Sequence, residues 1–263
     1  GLQGVHVILD AGHGGTDPGA TCDGVAESTY VYDVMKRLKE IVERKTAARV
    51  SVTRDEECVL TTPKFELEDP IVGVNLRWYL ANSIFRRAMR RGVPKEKMVF
   101  LSIHADSLHP SLRGAMAYIP AERYVTGSYR KTDDVYLARA EVREHPVVRH
   151  SEEESLEAEG LSRDLAESII DAFEAKHLNV HPFNPVRDNV VRNGREWVPA
   201  IIRYNLVPTR LLVEICNLGN RNDRALVKTK KYRQRVAEAI YQGLVNFFAD
   251  RESSPAVVAR ATK

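Results

Sequence analysis

Glu214 sits inside an otherwise apolar run, Arg210-Leu211-Leu212-Val213-Glu214-Ile215-Cys216, which reads as a buried strand. A carboxylate in such a run is costly unless it is paired, protonated or next to a metal ion. Two further apolar runs end in histidine: Leu9-Asp10-Ala11-Gly12-His13-Gly14-Gly15 and Leu101-Ser102-Ile103-His104-Ala105-Asp106. A catalytic zinc site takes three protein ligands and leaves one position for water. His13 and His104 can supply two of them. Glu27, between a Gly-rich turn and a helical pattern, is the best third ligand. Glu214 then fits a general base beside an activated water. The four residues together point to metal-dependent hydrolysis.

Each residue also has an ordinary account. His13 can be a turn residue, His104 a hydrogen-bonded core histidine, and Glu27 a carboxylate favoured by a helix N-terminus. Glu214 can be half of a buried ion pair with an arginine such as Arg203. Singly, these accounts are the stronger ones; the joint pattern reverses that order. Cys216 offers a cysteine nucleophile as another route, since on a regular strand it shares the face of Glu214. Buried cysteine is nevertheless most often packing.

These residues need elements to position them. Val5 to Leu9 reads as a strand, followed by a helix with Val31, Val34, Leu38, Ile41 and Val42 on one face and Ser28 as its N-cap. Arg49 to Thr53 is a second strand. Residues 75–91 form a helix through Leu76, Leu80, Ile84 and Ala88. Met98 to Ile103 and Ala115 to Ile119 are the next strands. A charged stretch, about 120–160, breaks the rhythm as an insertion with a short helix around Asp134 to Val142. The helical pattern returns from Leu161 through Leu165, Ile169 and Phe173. Residues 178–200 are Asn/Pro-rich and irregular. A last helix carries Tyr232, Val236, Ile240, Leu244 and Phe247, and the chain ends in a flexible tail over 251–263. Strands alternating with helices imply an α/β fold with a mainly parallel, twisted sheet of about six strands and helices on both faces. Residues 1–250 then form a single catalytic domain. Sites in such sheets lie at the carboxyl ends of strands, where His13 and His104 fall.

Composition narrows the function. The 263 residues carry a net charge of only +3, which gives no case for nucleic acid as partner. No apolar stretch approaches the ~20 residues of a membrane span. Three cysteines, Cys22, Cys58 and Cys216, are too few for a disulfide framework, and none form the CxxC of a zinc knuckle. Cys22 and Cys58 follow the first and second strands in loops leaving one end of the sheet, so two readings stand side by side: a bridge between them if the protein is exported, or two free thiols.

The motifs also resemble a known family, the zinc-dependent N-acetylmuramoyl-L-alanine amidases of the cell wall, in the same order over roughly residues 4–250. Ile8-Leu9-Asp10-Ala11-Gly12-His13-Gly14-Gly15-Thr16-Asp17-Pro18-Gly19-Ala20 is similar to the family's opening signature. Glu27 stands at its metal-binding Glu. Val52-Thr53-Arg54, Asn75-Leu76-Arg77 with Ala81-Asn82, and Ser102-Ile103-His104-Ala105-Asp106 resemble successive blocks, and Pro208 through Glu214 to Asn220 and Asp223 resembles the block with the catalytic Glu. The resemblance implies Zn2+ held by His13, Glu27 and His104, with Glu214 as base. It implies peptidoglycan as substrate, cut between the lactyl group of N-acetylmuramic acid and L-alanine, in wall remodelling or daughter-cell separation. It further implies a periplasmic or extracellular setting, a monomer, and an activator protein as partner. The family usually has Gly-Phe where this chain has Cys216-Asn217, and residues 178–200 are longer and more polar than its pattern. Some division amidases carry an insert like 120–160 that occludes the zinc; if this one does so, Asp133, Asp134, Glu141 and Glu144 are available as the gating carboxylate, the alternative being a solvated surface loop. The alternatives are another zinc amidohydrolase or carboxypeptidase on the same scaffold, and a non-catalytic peptidoglycan-binding regulator.

Overall fold

The computed structural model of the chain describes residues 1–55, 58–59, 65–66 and 69–253. Of the tail expected over 251–263, the first three residues, Arg251 to Ser253, instead continue the last helix, and the remainder lies outside the described residues.

Apolar runs become strands here because both of their faces are covered. The central sheet contains β1 (His6–Ala11), β2 (Arg49–Val52), β3 (Met98–Asp106), β4 (Met116–Tyr118), β5 (Val186–Arg187) and β6 (Thr209–Asn217), in the order β5-β4-β6-β3-β1-β2. All neighbouring pairs are parallel except β4 and β6. Every residue of β1 and of β6 is buried. Such continuous burial is expected of central strands in a parallel sheet.

Alternation along the strands feeds two cores. Val7, Leu9, Leu101, Ile103, Leu211 and Val213 pack beneath three long helices, α1 (Glu27–Lys45), α3 (Glu152–Ala175) and α4 (Lys230–Ser253). Ile8, Phe100, Met116 and Leu212 face the other way, onto α2 (Pro70–Arg90) and Leu76, Trp78 and Leu80 within it. Each such fully buried Leu or Phe contributes about 1.5–3 kcal/mol relative to exposure.

Several element boundaries differ from the sequence expectation. Ser28 does not cap α1: the helix starts at Glu27 with Ala26 as N-cap, and no side chain closes it. Glu27 occupies the first helical position, with its carboxylate turned to other partners. Helix α2 begins at Pro70, not residue 75, with Asp69 accepting a hydrogen bond from the Ile71 N–H. Helix α3 begins nine residues before Leu161. Ser151 and Glu154 form a reciprocal capping box there, and Glu152, Glu153 and Glu154 sit at the positive end of the helix dipole.

The charged stretch is also more ordered than a loop. Gly127–Arg130 and Val147–His150 pair as an antiparallel hairpin enclosing two short helices, Asp134–Leu137 and Ala140–Glu144. The whole unit docks on α2. Tyr136 and Val142 enter the second core, Asn75 Nδ2 donates to Tyr136 Oη at 2.9 Å, and Tyr79 Oη donates to the Pro146 carbonyl at 2.8 Å. Residues 178–200 are irregular as expected, apart from β5 and a small hairpin of Val190–Arg192 with Arg195–Trp197.

Candidate metal centre and catalytic cleft

The first ligand candidate rides on a strained turn. His13 has φ +63°, followed by Gly14 and Gly15 at +114° and +61°. A left-handed backbone at a histidine is a local cost that surrounding structure must hold in place. Buried Arg54 does so: its Nε donates to the Ala11 carbonyl at 2.7 Å, and Nη2 donates to the carbonyls of Gly12 at 3.1 Å and Ser28 at 3.3 Å. The guanidinium thus ties the turn after β1 to the start of α1.

Beneath the turn, fully buried Asp10 gathers three elements. It accepts from Ser102 Oγ at 2.6 Å and from Thr53 Oγ1, and Arg77 Nε lies 2.9 Å from its Oδ1.

His13, Glu27 and His104 converge at the carboxyl ends of β1 and β3. One ligand-type atom from each lies within 4.8 Å of the others. Glu27 is the hub. His13 Nε2 is 3.1 Å from its Oε2 and His104 Nδ1 is 2.9 Å from its Oε1. The same oxygens accept backbone N–H bonds from Ala20 and Ala105, both at 3.0 Å. The imidazole rings meet edge to face with centroids 5.0 Å apart. Asp17 Oδ2 stands 2.7 Å from His13 Nδ1. That carboxylate anchors Nδ1 while Nε2 faces Glu27, an arrangement in which a second carboxylate can orient a histidine that holds a cation. His104 Nε2 is buried with no hydrogen-bond partner among the described residues.

The packing around the three leaves space only for glycine. A Cβ at Gly12 would come within 2.2 Å of His104 Cε1, and one at Gly19 within 2.6 Å of Glu27 Oε2. Two imidazoles and a carboxylate, with an orphaned ring nitrogen, are a donor set that fits zinc.

Glu214 lies beside this group. In the β3–β6 ladder it is the direct register partner of His104. It is 8% exposed and its Oε2 is buried without a hydrogen-bond partner. The ion pair with Arg203 is not formed; that guanidinium lies over the rings of Tyr129 and Tyr204, 5.3 and 5.5 Å from their centroids.

The two glutamates are pushed in opposite directions. Burial drives the Glu214 carboxyl well above the usual carboxylate range, reinforced by the charges of Asp106 and Glu27 and opposed by Arg187. Burial acts the same way on Glu27, but hydrogen bonds and charge from His104 and His13 outweigh it and hold this carboxylate well below its ordinary range. For His13, burial favours the neutral ring, yet Glu27 and Asp17 prevail and raise its pKa. One carboxylate held as an anion and one whose protonated form is favoured by burial is the kind of separation that distinguishes a ligand from a proton carrier.

Both glutamates open into a cleft of about 980 Å³ whose walls include Asp106, Tyr118, Phe183, Arg187 and Trp197. None of Asp133, Asp134, Glu141 or Glu144 lines it. Glu141 is instead buried on the side of α2, near Arg139 and Arg87. The expected gate over the site is therefore not formed; the segment 183–197 makes the far wall.

The cysteines stand apart from this chemistry. A register shift between Glu214 and Asn217 breaks strand alternation, so Cys216 does not share the face of Glu214. It packs in the core beneath α1, α3 and α4, where burial pushes its thiol well above the usual range. That environment suits packing, not nucleophilic attack. Asn217 fills its hydrogen-bonding capacity with the loop after β3, accepting from Leu108 N–H at 2.8 Å and donating to the carbonyls of Leu112 and His109 at 2.7 and 3.0 Å. Cys22 carries a free thiol, its Sγ 3.6 Å from Ser107 Oγ. The expected bridge to Cys58 finds no support, and the Cys58 side chain lies outside the described residues.

Fold and site together define an α/β protein with a His-Glu-His cation group at the carboxyl ends of a mainly parallel sheet. Its family is shown by sequence: residues 7–246 match the Amidase_3 model, N-acetylmuramoyl-L-alanine amidase, and the chain belongs to that family. It is similar to a cell wall amidase of Bacillus anthracis, 25% identical over 94% of this chain and 36% of the relative. It is also similar to the probable amidase AmiB of Haemophilus influenzae, 24% identical over 95% of this chain and 54% of the relative. The chain thus spans about half or less of the length of these relatives. Among solved structures, the amidase Ami1 of Mycobacterium smegmatis shares the fold with TM-score 0.63 at 20% identity, covering 95% of this chain and 99% of the other. The CwlD amidase of Clostridioides difficile, solved in complex with the GerS lipoprotein, aligns with TM-score 0.58 at 20% identity over 93% and 98%.

Proposed function

We propose that the protein is a zinc-dependent N-acetylmuramoyl-L-alanine amidase that cleaves the amide between the lactyl carbonyl of N-acetylmuramic acid and L-alanine in peptidoglycan. The observation that carries this reading is the unpaired, buried Glu214 carboxylate beside the His13-Glu27-His104 group in an open cleft, in a chain of this family.

His13, Glu27 and His104 would hold the ion. A zinc ion there supplies Lewis-acid polarisation of the carbonyl and a lower water pKa. Asp17 keeps the His13 ring oriented, and Arg54 keeps the turn in place. Glu214 takes the proton of the attacking water on a carboxylate oxygen and returns it to the alanine nitrogen as the C–N bond breaks. Water's remaining OH ends on the lactyl carbon, giving a free carboxylic acid on the glycan and a free amine on the peptide. A carboxyl whose pKa lies above the ordinary range can both accept and return that proton near neutral pH.

The substrate places the reaction outside the cytoplasm, in wall remodelling or daughter-cell separation. A monomer suffices, since all four residues come from one chain. The GerS complex of CwlD makes a protein activator a reasonable partner to seek.

The test is zinc analysis of the purified protein, followed by chelation and zinc restoration with purified peptidoglycan as substrate. Mass spectrometry should find stem peptides with a free alanine amine and unbroken glycan, lost on chelation and regained with zinc. Release of a terminal amino acid instead would support the carboxypeptidase alternative.

A further inference from the structure

Arg187 lies in β5 and lines the cleft that holds Glu27 and Glu214. Its head group is fixed by neutral partners. Nη2 lies 3.3 Å and 3.2 Å from Nδ1 and Nε2 of buried His181, and Nε donates to the Asn184 carbonyl at 3.2 Å. The Tyr118 side chain is a further hydrogen-bond partner. Arg163, Arg224 and Arg233 each pair with a carboxylate. Arg187 makes no ion pair among the described residues. Its charge is nevertheless felt by Asp106 and Glu214 across the cleft. An immobilised guanidinium without an anion, facing a catalytic cleft, is built to receive a carboxylate, and its planar fork suits two-point binding.

Its position matches one part of the substrate. Three strand steps, β5 to β4 to β6 to β3, separate Arg187 from His104. At ~4.8 Å per step the two backbones are ~14 Å apart. An extended chain advances ~3.5 Å per residue. With the scissile amide at the His13-Glu27-His104 group, the residue following alanine reaches the zone spanned by the long Arg187 side chain. Exposed Phe183 and the Trp197 ring flank that zone as apolar walls.

We propose that Arg187 is the specificity-determining residue that binds a free carboxylate on the peptide residue next to the alanine, so that the enzyme prefers acidic stem peptides to amidated ones. This rests on the amidase reading above. The physical reason is asymmetric: a carboxylate satisfies the guanidinium, whereas a carboxamide leaves a fixed cation without its counter-ion and brings a donor against donors.

The experiment compares two muropeptides that differ only at the second residue, one with a free carboxylate and one with a carboxamide. Wild type, Arg187→Gln, Arg187→Lys and Arg221→Gln are assayed as zinc-loaded full chains, with melting curves to establish folding. Wild type should favour the acidic substrate by roughly 10-fold or more in kcat/KM. Arg187→Gln should abolish the preference by slowing only the acidic substrate, Arg187→Lys should retain part of it, and Arg221→Gln, at an exposed site outside the cleft, should keep it. Wild type that cleaves both equally overturns the proposal without any variant and leaves the amidase reading intact. An Arg187→Gln that slows both substrates alike and shifts the pH profile overturns it too, because Arg187 would then act through Glu214. Wild type that cleaves neither overturns the amidase reading and this proposal with it.

Discussion

Glu214 and His104 are direct partners across the β3–β6 ladder, so a buried carboxylate and a half-buried imidazole stand side by side on one face of the sheet. The pair is not an ion pair: His104 directs Nδ1 to Glu27, and Glu214 Oε2 has no hydrogen-bond partner among the described residues. On the proposed reading, adjacent strands would separate two jobs, cation holding at the end of β3 and proton transfer on β6, one strand spacing apart.

The first prediction follows from that separation. Glu214→Gln should fold and keep stoichiometric zinc while losing about 10²–10⁴-fold in turnover. The amide is isosteric but cannot accept the water proton. Zinc content and single-turnover release of peptide from purified peptidoglycan check it; turnover within a few-fold of wild type would remove Glu214 from the mechanism.

A second prediction concerns Asp17, whose Oδ2 meets His13 at Nδ1, the nitrogen away from Glu27, while its Oδ1 accepts from the Gly19 N–H at 3.0 Å. Asp17→Ala should weaken zinc binding about 10–100-fold, as expected when a partner that orients a ligand is removed. Competition against a chromogenic chelator reads this directly. His13→Ala, which removes a ligand, should lose zinc and activity together. An Asp17→Ala protein with wild-type affinity would show that the turn alone orients the ring.

The residues that bear chemistry were legible because each violates its surroundings: a glutamate in an apolar strand, and histidines at strand ends. The supporting residues were not, because nothing local marks them. Asp17 and Arg54 appear in the sequence only as members of blocks that resemble the family; their contacts with the His13 ring and the Ala11 carbonyl, both at 2.7 Å, exist only in the fold. Arg187 falls in a stretch with no periodicity, and its role depends on β5 joining the sheet beside β4. The β4–β6 antiparallel ladder and the docking of 127–150 on α2 are long-range pairings that hydrophobic period does not encode. The early start of α3 is different. Its Ser151-x-x-Glu154 box was present in the sequence, but a run of three glutamates masked it as a charged loop.

The third prediction uses Gly12. Its φ is not in the left-handed region, so alanine there is opposed by space alone, with a Cβ 2.2 Å from His104 Cε1. Gly12→Ala should displace the ring and abolish tight zinc binding, while stability falls by about 1–3 kcal/mol, the usual range for overpacking. Gly160→Ala is the control. A Cβ there meets nothing within 4 Å in the middle of α3, and the change should raise stability by up to about 1 kcal/mol with zinc affinity untouched. If Gly12→Ala bound zinc normally, the close approach would carry no functional weight.

The last prediction concerns pH and two histidines away from the site. His6 is driven down to about 4 by burial and then by Arg49, and His150 down to about 4 by burial and then by Arg210. Unfolded, each titrates near 6.5. Between pH 6.5 and 4 the unfolded chain therefore binds protons that the folded chain excludes, so stability rises with pH across that window. The contribution is fully present above pH 6.5, declines as pH falls toward 4, and levels off below it. Each shift is worth at most about 3 kcal/mol, and less where solvent reaches the ring. Thermal melts of chelated protein from pH 7.5 to 4 should show wild type losing more stability than His6→Gln or His150→Gln over the same interval. His13, whose pKa is raised, contributes with the opposite sign, but equally in all three proteins, and cancels from the difference. Melting curves for the variants that run parallel to wild type would mean that these imidazoles are not held neutral in the folded state.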